Sequence, residues 1–204
     1  FSRAPTQRRP VASLTKLMTA LLIIENHDLQ EWVTIPGDIN SINGNVVDLP
    51  PGQQFIVGDL LSALLMASAN DAAEALARFH SGSTDAFVIA MNERAQALGL
   101  TETQFMNVAG FDAPDQWSTP RDLSWLAMFL LRSPAIRERL AQRGVVIRSR
   151  QGQAIPITHT HAFLHAQTPV IMGKTGTTTK AGQCLLSVVE IDGRQYLVIL
   201  LNSL

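Results

Sequence analysis

The spacing of apolar residues divides the chain into a helical middle and two ends with strand character. One strongly apolar stretch predicts a buried helix from Ser13 to about Asn26, because it is hydrophobic on nearly every face. A loop rich in glycine, asparagine and proline follows over residues 37–54. Helical spacing of apolar residues then predicts helices over Leu60–Met66, Asp71–Phe79, 83–99, 119–131 and 133–143.

Side chains suited to capping stand at the start of each of these helices. Such residues accept hydrogen bonds from backbone N–H groups that have no partner in the first helical turn. We therefore expect side-chain caps at Asp59, at Ser68 or Asn70, at Ser83 or Thr84, at Thr119 and at Ser133.

After Gly144 the apolar residues alternate, which is typical of strands. Predicted strands cover Val145–Arg148, Ala154–Thr158, Pro169–Lys174, Gln183–Ile191 and Gln195–Leu201, and Glu31–Pro36 adds a short one near the other end. Asp192-Gly193-Arg194 predicts a hairpin between the last two. We therefore expect an α+β domain over residues 1–204, with a sheet lobe at 1–36 and 145–204 and a helical lobe at 37–144.

Composition narrows the functional classes. The chain is 46% hydrophobic and 16% charged, as in a globular protein, and its net charge of −1 favours neither nucleic acid nor an anionic membrane surface. Cys184 is the single cysteine, which excludes an internal disulfide. No apolar stretch is long enough to span a membrane. The chain begins at Phe1 rather than Met, so we expect its natural start, with any membrane anchor, to lie in missing sequence.

Lysine is rare in this chain. Thirteen positive charges are arginines, and the three lysines are Lys16, Lys174 and Lys180. Arginine stays protonated in proteins, whereas a lysine that is desolvated or placed near another cation can lose its proton. Lysine at particular positions of an arginine-rich chain therefore suggests a cation that titrates, although compositional drift predicts the same counts.

Three short motifs place these lysines in a chemical context. Ser13 and Lys16 are three residues apart at a helix start, which puts their side chains on one face. Lys174-Thr175-Gly176 ends an apolar strand, where a glycine would let a substrate approach the strand edge. A Ser-x-Asn motif occurs at 68–70, between two apolar helices, and also at 41–43, where ordinary turn chemistry is the favoured interpretation.

Ser-x-x-Lys, Ser-x-Asn and Lys-Thr-Gly in this order are typical of penicillin-binding enzymes, in which the serine is the nucleophile. The flanking residues extend the likeness. The segments at 10–20, 70–73, 118–122 and 174–178 with 181–182 resemble those of D-alanyl-D-alanine carboxypeptidases, and the resemblance covers nearly all of the chain.

The resemblance implies a three-layer α-β-α fold with an antiparallel sheet and a helical lobe. It also implies a bacterial enzyme, working outside the cytoplasmic membrane, that removes the terminal D-Ala of peptidoglycan stem pentapeptides and is acylated by β-lactams. By that analogy the catalytic residues are Ser13, Lys16, Ser68 and Asn70. The substrate-binding residues are Lys174, Thr175, Gly176 and Thr177. We expect neither a cofactor nor a metal.

This chain departs from the resemblance in three respects. A strand expected before Phe1 and a sheet-covering helix expected after Asn202 are absent, so we expect the domain to be truncated at both ends. An arginine that assists carboxylate binding is also expected beyond Leu204. Finally, Ala109 stands where relatives often carry a histidine near the cleft.

Other functions compete with this interpretation. A class A β-lactamase shares the three motifs, but neither Glu102 nor Glu138 lies in the Glu-x-x-x-Asn pattern that such enzymes use for deacylation. A peptidoglycan endopeptidase or transpeptidase would form the same acyl-enzyme. The spacing of His159, His161 and His165 could suit zinc. A non-catalytic module that binds cell-wall peptides is the alternative from another class.

Overall fold

The computed structural model describes residues 1–203, which form an α+β fold and confirm the predicted class. Within this range the helices are α1 (Lys16–Asn26), α2 (Val57–Leu65), α3 (Asn70–Ser81), α4 (Thr84–Ala97), α5 (Pro120–Leu130) and α6 (Pro134–Ala141). The strands are β1 (Trp32–Thr34), β2 (Gln54–Ile56), β3 (Gly144–Arg148), β4 (Ala154–Thr158), β5 (Val170–Thr178), β6 (Gly182–Ile191) and β7 (Arg194–Ser203).

Helix α1 is the centre of the core, as its apolar pattern predicts. Every residue from Lys16 to Ile23 is buried, and the helix contacts α2, α3, α4 and α5. Burying one leucine or isoleucine side chain stabilises a fold by about 1.5–3 kcal/mol, so this helix anchors the neighbours around it. Among residues 1–203, neither α1 nor any other helix has the length and apolar character needed to cross a bilayer.

The main sheet is antiparallel and has the strand order β5-β6-β7. The predicted hairpin is confirmed, because Ile191 pairs with Arg194 across the turn at Asp192 and Gly193. Strand β5 pairs only with β6 among the described strands, so its other edge is open. A 3₁₀ turn at Ala12–Thr15, just before α1, contacts both β5 and β6. This contact brings the start of α1 to the sheet.

The strands at 32–34 and 144–158 do not join this sheet, contrary to the predicted sheet lobe of 1–36 and 145–204. Strand β1 pairs with β2, which lies within the predicted helical lobe, and β3 pairs with β4 in a separate hairpin that contacts α2. The alternating pattern identified these segments as strands. It carries no information on which strand each one pairs with.

Two of the predicted caps are present. Ser83 Oγ accepts a hydrogen bond from the Ala86 N–H at 3.2 Å, and Thr119 Oγ1 accepts one from the Asp122 N–H at 3.1 Å. The others are wrong: α2, α3 and α6 have no side-chain cap. Asp59 instead lies in the first turn of α2 and accepts from the Arg148 N–H of β3, because the helix begins earlier than its apolar run suggests.

This difference predicts different effects of two serine substitutions. Replacing Ser83 with alanine should lower the free energy of unfolding by about 1 kcal/mol, because the cap of α4 is lost. Replacing Ser133 with alanine is the matched control, and should change it by less than about 0.5 kcal/mol because no cap exists there. Urea denaturation measures both, and equal losses would contradict the assignment.

Candidate active site

Ser13 and Lys16 lie together where the 3₁₀ turn at 12–15 meets α1. Lys16 Nζ donates a hydrogen bond to Ser13 Oγ at 3.0 Å, as the spacing of the motif predicts. The lysine is fully buried, whereas Ser13 is partly accessible. Ala12 has a positive φ of 48°, a strained conformation for a residue with a side chain. The turn therefore presents Ser13 to solvent while α1 keeps Lys16 inside.

Two further acceptors complete the surroundings of the Lys16 ammonium. Nζ donates to Asn70 Oδ1 at 2.7 Å and to the Ala109 carbonyl oxygen at 2.7 Å. Asn70 also donates from Nδ2 to the Asn43 carbonyl at 2.8 Å. The Asn70 side chain is thus held from both ends, which explains why it does not cap α3.

Lys174 is the second fully buried lysine. Its Nζ donates to Ser68 Oγ at 2.7 Å and to the carbonyl of Thr175 at 2.8 Å. Ser68 lies between α2 and α3 with a positive φ of 61°, which is again strained for a non-glycine residue. The Ser-x-Asn motif at 68–70 therefore contacts both lysines, one through each of its polar side chains.

The end of β5 lies against the backbone of the 3₁₀ turn at 12–15, the nucleophile turn, which carries the predicted nucleophile Ser13. A Cβ atom on Gly176 would lie 2.7 Å from the Ser13 nitrogen and 3.1 Å from Ala12 Cβ, so no larger residue fits. Beside it, Thr175 Oγ1 lies 2.6 Å from Thr160 Oγ1. Thr177, the residue after Gly176, is exposed. The three motifs thus converge on one cleft at the open edge of β5.

Burial lowers the pKa of both lysines, and Lys174 also repels the charge on Lys16. The pKa of Lys16 lies well below its ordinary value, first because burial disfavours the charged form, then because Lys174 repels it, with Asp71 acting in the opposite direction. Burial lowers the pKa of Lys174 to about 7. Both effects by which a lysine can lose its proton, desolvation and a neighbouring cation, therefore act on Lys16.

Asp71 holds the loop that borders the cleft. Its carboxylate accepts hydrogen bonds from the N–H groups of Val47, Leu49 and Ala72. Burial raises the pKa of this carboxyl, and the backbone hydrogen bonds oppose the rise. Because the same loop supplies the Asn43 carbonyl that binds Asn70, Asp71 indirectly positions Asn70.

The histidines at 159, 161 and 165 do not form the metal site that their spacing suggests. His161 Nε2 lies 2.9 Å from Ser187 Oγ, His165 Nε2 lies 2.8 Å from the His159 carbonyl, and His159 Nδ1 accepts from the His161 N–H. Over residues 1–203, no three His, Cys, Asp or Glu side chains are placed to hold a metal ion. The three histidines are therefore not grouped as metal ligands within the described residues.

Sequence reasoning missed two contributors to the site. The Ala109 carbonyl is a backbone group, and no side-chain pattern identifies it. Thr160 belongs to the segment after β4, and its place beside Thr175 depends on a backbone hydrogen bond from the Thr160 N–H to the Met66 carbonyl. The structure does bring residue 109 to the cleft, as the resemblance implied, but through its carbonyl rather than its side chain.

Similarity to known proteins agrees with this geometry. The family model described as D-alanyl-D-alanine carboxypeptidase matches residues 1–203. The D-alanyl-D-alanine carboxypeptidase DacF of Bacillus subtilis is 31% identical over 91% of this chain and 49% of its own length. A D-alanyl-D-alanine endopeptidase of Pseudomonas aeruginosa is 30% identical over 100% of this chain and 66% of its own.

The fold is also shared with a solved structure. The crystal structure of the Streptomyces K15 DD-transpeptidase is 29% identical, with a TM-score of 0.91 over 100% of this chain and 84% of that one. This likeness confirms the transpeptidase-like fold. The chain spans about half the length of DacF and about two thirds of the Pseudomonas protein. By its family match and its fold, this chain belongs to the D-alanyl-D-alanine carboxypeptidase family.

Proposed function

We propose that this chain is a serine-type D-Ala-D-Ala carboxypeptidase that removes the terminal D-Ala from peptidoglycan stem pentapeptides through an acyl-Ser13 intermediate. The observation that carries the proposal is the contact between Ser13 Oγ and the buried Lys16 Nζ at 3.0 Å. A buried lysine with a lowered pKa is neutral for part of the time, and only the neutral amine can take the serine proton.

In the first step, Ser13 Oγ attacks the carbonyl carbon of the penultimate D-Ala while its proton passes to Lys16 Nζ. The peptide bond to the terminal D-Ala breaks. The leaving nitrogen takes a proton from the Ser68 hydroxyl, which regains one from the Lys174 ammonium that binds it at 2.7 Å. Asn70 holds Lys16 in place and faces the substrate amide. In the second step, water attacks the carbonyl carbon of the Ser13 ester and passes one proton through Ser68 to Lys174. The bond to Ser13 Oγ breaks as Oγ takes back the proton held on Lys16 Nζ, and the product acid leaves.

Charge that develops on the carbonyl oxygen is stabilised by the backbone N–H groups of Ser13 and Thr177. The fit of Gly176 against the Ser13 nitrogen supports this role, because it brings β5 and the nucleophile turn together without an intervening side chain. The substrate carboxylate binds Thr175 and is attracted by the Lys174 charge. Thr160 supports the Thr175 hydroxyl from the other side.

β-Lactams carry a reactive amide and a carboxylate at similar positions, so we infer that they acylate Ser13. We expect slow release, because a class A β-lactamase needs a glutamate that activates the deacylating water. Glu102, one of the two glutamates considered for that role, binds the Arg8 guanidinium at 2.6 Å on the exposed surface. We further infer that the enzyme acts outside the cytoplasmic membrane, where its peptidoglycan substrate lies.

Mass spectrometry after penicillin treatment tests the nucleophile. The protein should gain the mass of one penicillin, and Ser13→Ala should gain none because no oxygen remains to form the ester. Ser68→Ala is the matched control: it removes a cleft hydroxyl but keeps the nucleophile, so it should still be labelled, only more slowly. An adduct that survives in Ser13→Ala would remove this mechanism.

The pH dependence of acylation tests the role of Lys16. The rate should rise with pH as Lys16 loses its proton. In Lys174→Ala the repulsion is gone, so Lys16 holds its proton more strongly and its pKa rises. The rising limb of the plot of acylation rate against pH should therefore move to higher pH. Thr175→Val should lower the rate without moving the limb. Stopped-flow acylation across pH measures all three, and an unmoved limb in Lys174→Ala would count against this coupling.

Products from a stem pentapeptide decide the reaction preference. We expect free D-Ala and tetrapeptide, quantified by chromatography, with no product from Ser13→Ala. Transfer to an added amino-acid acceptor would instead indicate a transpeptidase, and cleavage of crosslinked dimers an endopeptidase. Binding of the pentapeptide without release of D-Ala would instead indicate a non-catalytic module that binds cell-wall peptides.

A further inference from the structure

A short bridge, defined here as Ala109–Asp112, connects the general base to the far end of β5. It crosses from the helical part of the fold to the sheet. Its first residue contacts Lys16 and its last contacts the strand end that follows the Lys-Thr-Gly motif. None of the three motifs includes it.

One end of the bridge is fixed to the nucleophile turn. The Ala109 carbonyl accepts from Lys16 Nζ at 2.7 Å and lies 3.5 Å from Ser13 Oγ. Gly110 has a φ of 91°, and a Cβ atom there would lie 1.9 Å from the Ala12 carbonyl oxygen. The bridge backbone is therefore pressed directly against the residue that precedes Ser13.

The other end is fixed to β5 by a carboxylate. Asp112 Oδ1 accepts a hydrogen bond from Thr178 Oγ1 at 2.6 Å, and Oδ2 accepts one from the Lys180 N–H at 3.0 Å. Thr178 Oγ1 in turn accepts from the Ala181 N–H at 3.0 Å. One carboxylate thus holds both the last residue of β5 and the turn that leads into β6.

The bridge has its own internal support. Asn107 Oδ1 accepts from the N–H groups of Gly110 and Phe111, and Gln116 Nε2 donates to the Phe111 carbonyl at 2.7 Å. Side chains on both flanks therefore hold its backbone. A supported segment transmits a position from one end to the other, which a loose loop cannot do.

Thr177, whose N–H is proposed to bind the oxyanion, directly precedes Thr178. Thr177 itself is exposed, and the end of β5 pairs on one edge only, where Thr177 faces Gln183 and Thr178 faces Gly182 of β6. The contacts of Asp112 therefore add to the hold on this strand end. We propose that Asp112 is a positioning residue for acylation, which keeps the Thr177 N–H in register with Ser13 through the bridge. This inference rests on the proposed function, because it concerns the acylation step at the same site.

Two general effects predict that the loss of Asp112 lowers the acylation rate. Hydrogen bonds to a charged acceptor are stronger than neutral ones. A misplacement of about 1 Å at a reacting centre can cost about 100-fold in rate. Asp112 is exposed and touches neither Ser13 nor Lys16 among the hydrogen bonds of the described residues. Its removal should therefore slow acylation and leave the pH of the rising limb unchanged.

The experiment compares Asp112→Ala with Asp115→Asn. Asp115 is an exposed carboxylate in the same loop, and asparagine removes its charge while tolerating its backbone φ of 62°. Thr178→Val is a second variant that removes the other partner of the same contact. Fluorescent penicillin labelling, repeated across pH, gives three readouts for each protein: the second-order acylation rate, the pH of the rising limb and the labelled fraction at the endpoint.

We expect Asp112→Ala and Thr178→Val to be acylated about tenfold more slowly or worse, with the limb unmoved and the endpoint still one label per chain. Asp115→Asn should match the unsubstituted protein. An unchanged acylation rate in Asp112→Ala would overturn the positioning role. The same holds if the rate is unchanged and the labelled fraction is lower, because a lower fraction alone reports misfolded protein. Failure of the unsubstituted protein to label would overturn the proposed function and this inference with it.

Discussion

Two lysine side chains buried in one cleft are the constraint on which the site depends. Lys16 and Lys174 are both inaccessible to solvent, and burying an unpaired ammonium is costly. Neither forms a salt bridge to a carboxylate among the described residues. The fold instead supplies neutral oxygen acceptors and lowers both pKa values. The same burial that would destabilise an ordinary protein allows a lysine here to lose its proton more easily.

The acceptors come from segments far apart in the chain, so the site links the elements around it. The turn at 68–70 contributes a side chain to each lysine, the bridge at 109–112 contributes a carbonyl to one, and β5 carries the other. Backbone strain at Ala12 and Ser68 is located at these contacts. The close packing of α1 and its neighbours keeps both residues in these conformations, because well-packed elements cannot relax without losing contacts.

Much of the fold follows from local pattern. The buried α1, the hairpin at 192–193 and the caps at Ser83 and Thr119 depend on residues close together in sequence, and all were predicted. The pairing of β1 with β2, and of β3 with β4 outside the main sheet, was not. Short strands with similar alternation are interchangeable as partners until tertiary packing selects among them. The false cap at Asp59 has a related origin, because tertiary contacts decide where α2 begins. Helix α6 does begin after Ser133, but the serine side chain makes no cap hydrogen bond.

The sequence by itself determined which reactive side chains this protein carries: a serine three residues before a lysine, a Ser-x-Asn motif between helices and a Lys-Thr-Gly motif at a strand end. These motifs are defined by the identity of their side chains, which the sequence specifies directly. Only the tertiary structure decided that Ala109 accepts from Lys16 through its backbone, that Thr160 lies beside Thr175, and that Asp112 holds the end of β5. Those contacts join residues that are distant in the chain, or use backbone atoms that every residue shares, so no local pattern distinguishes them.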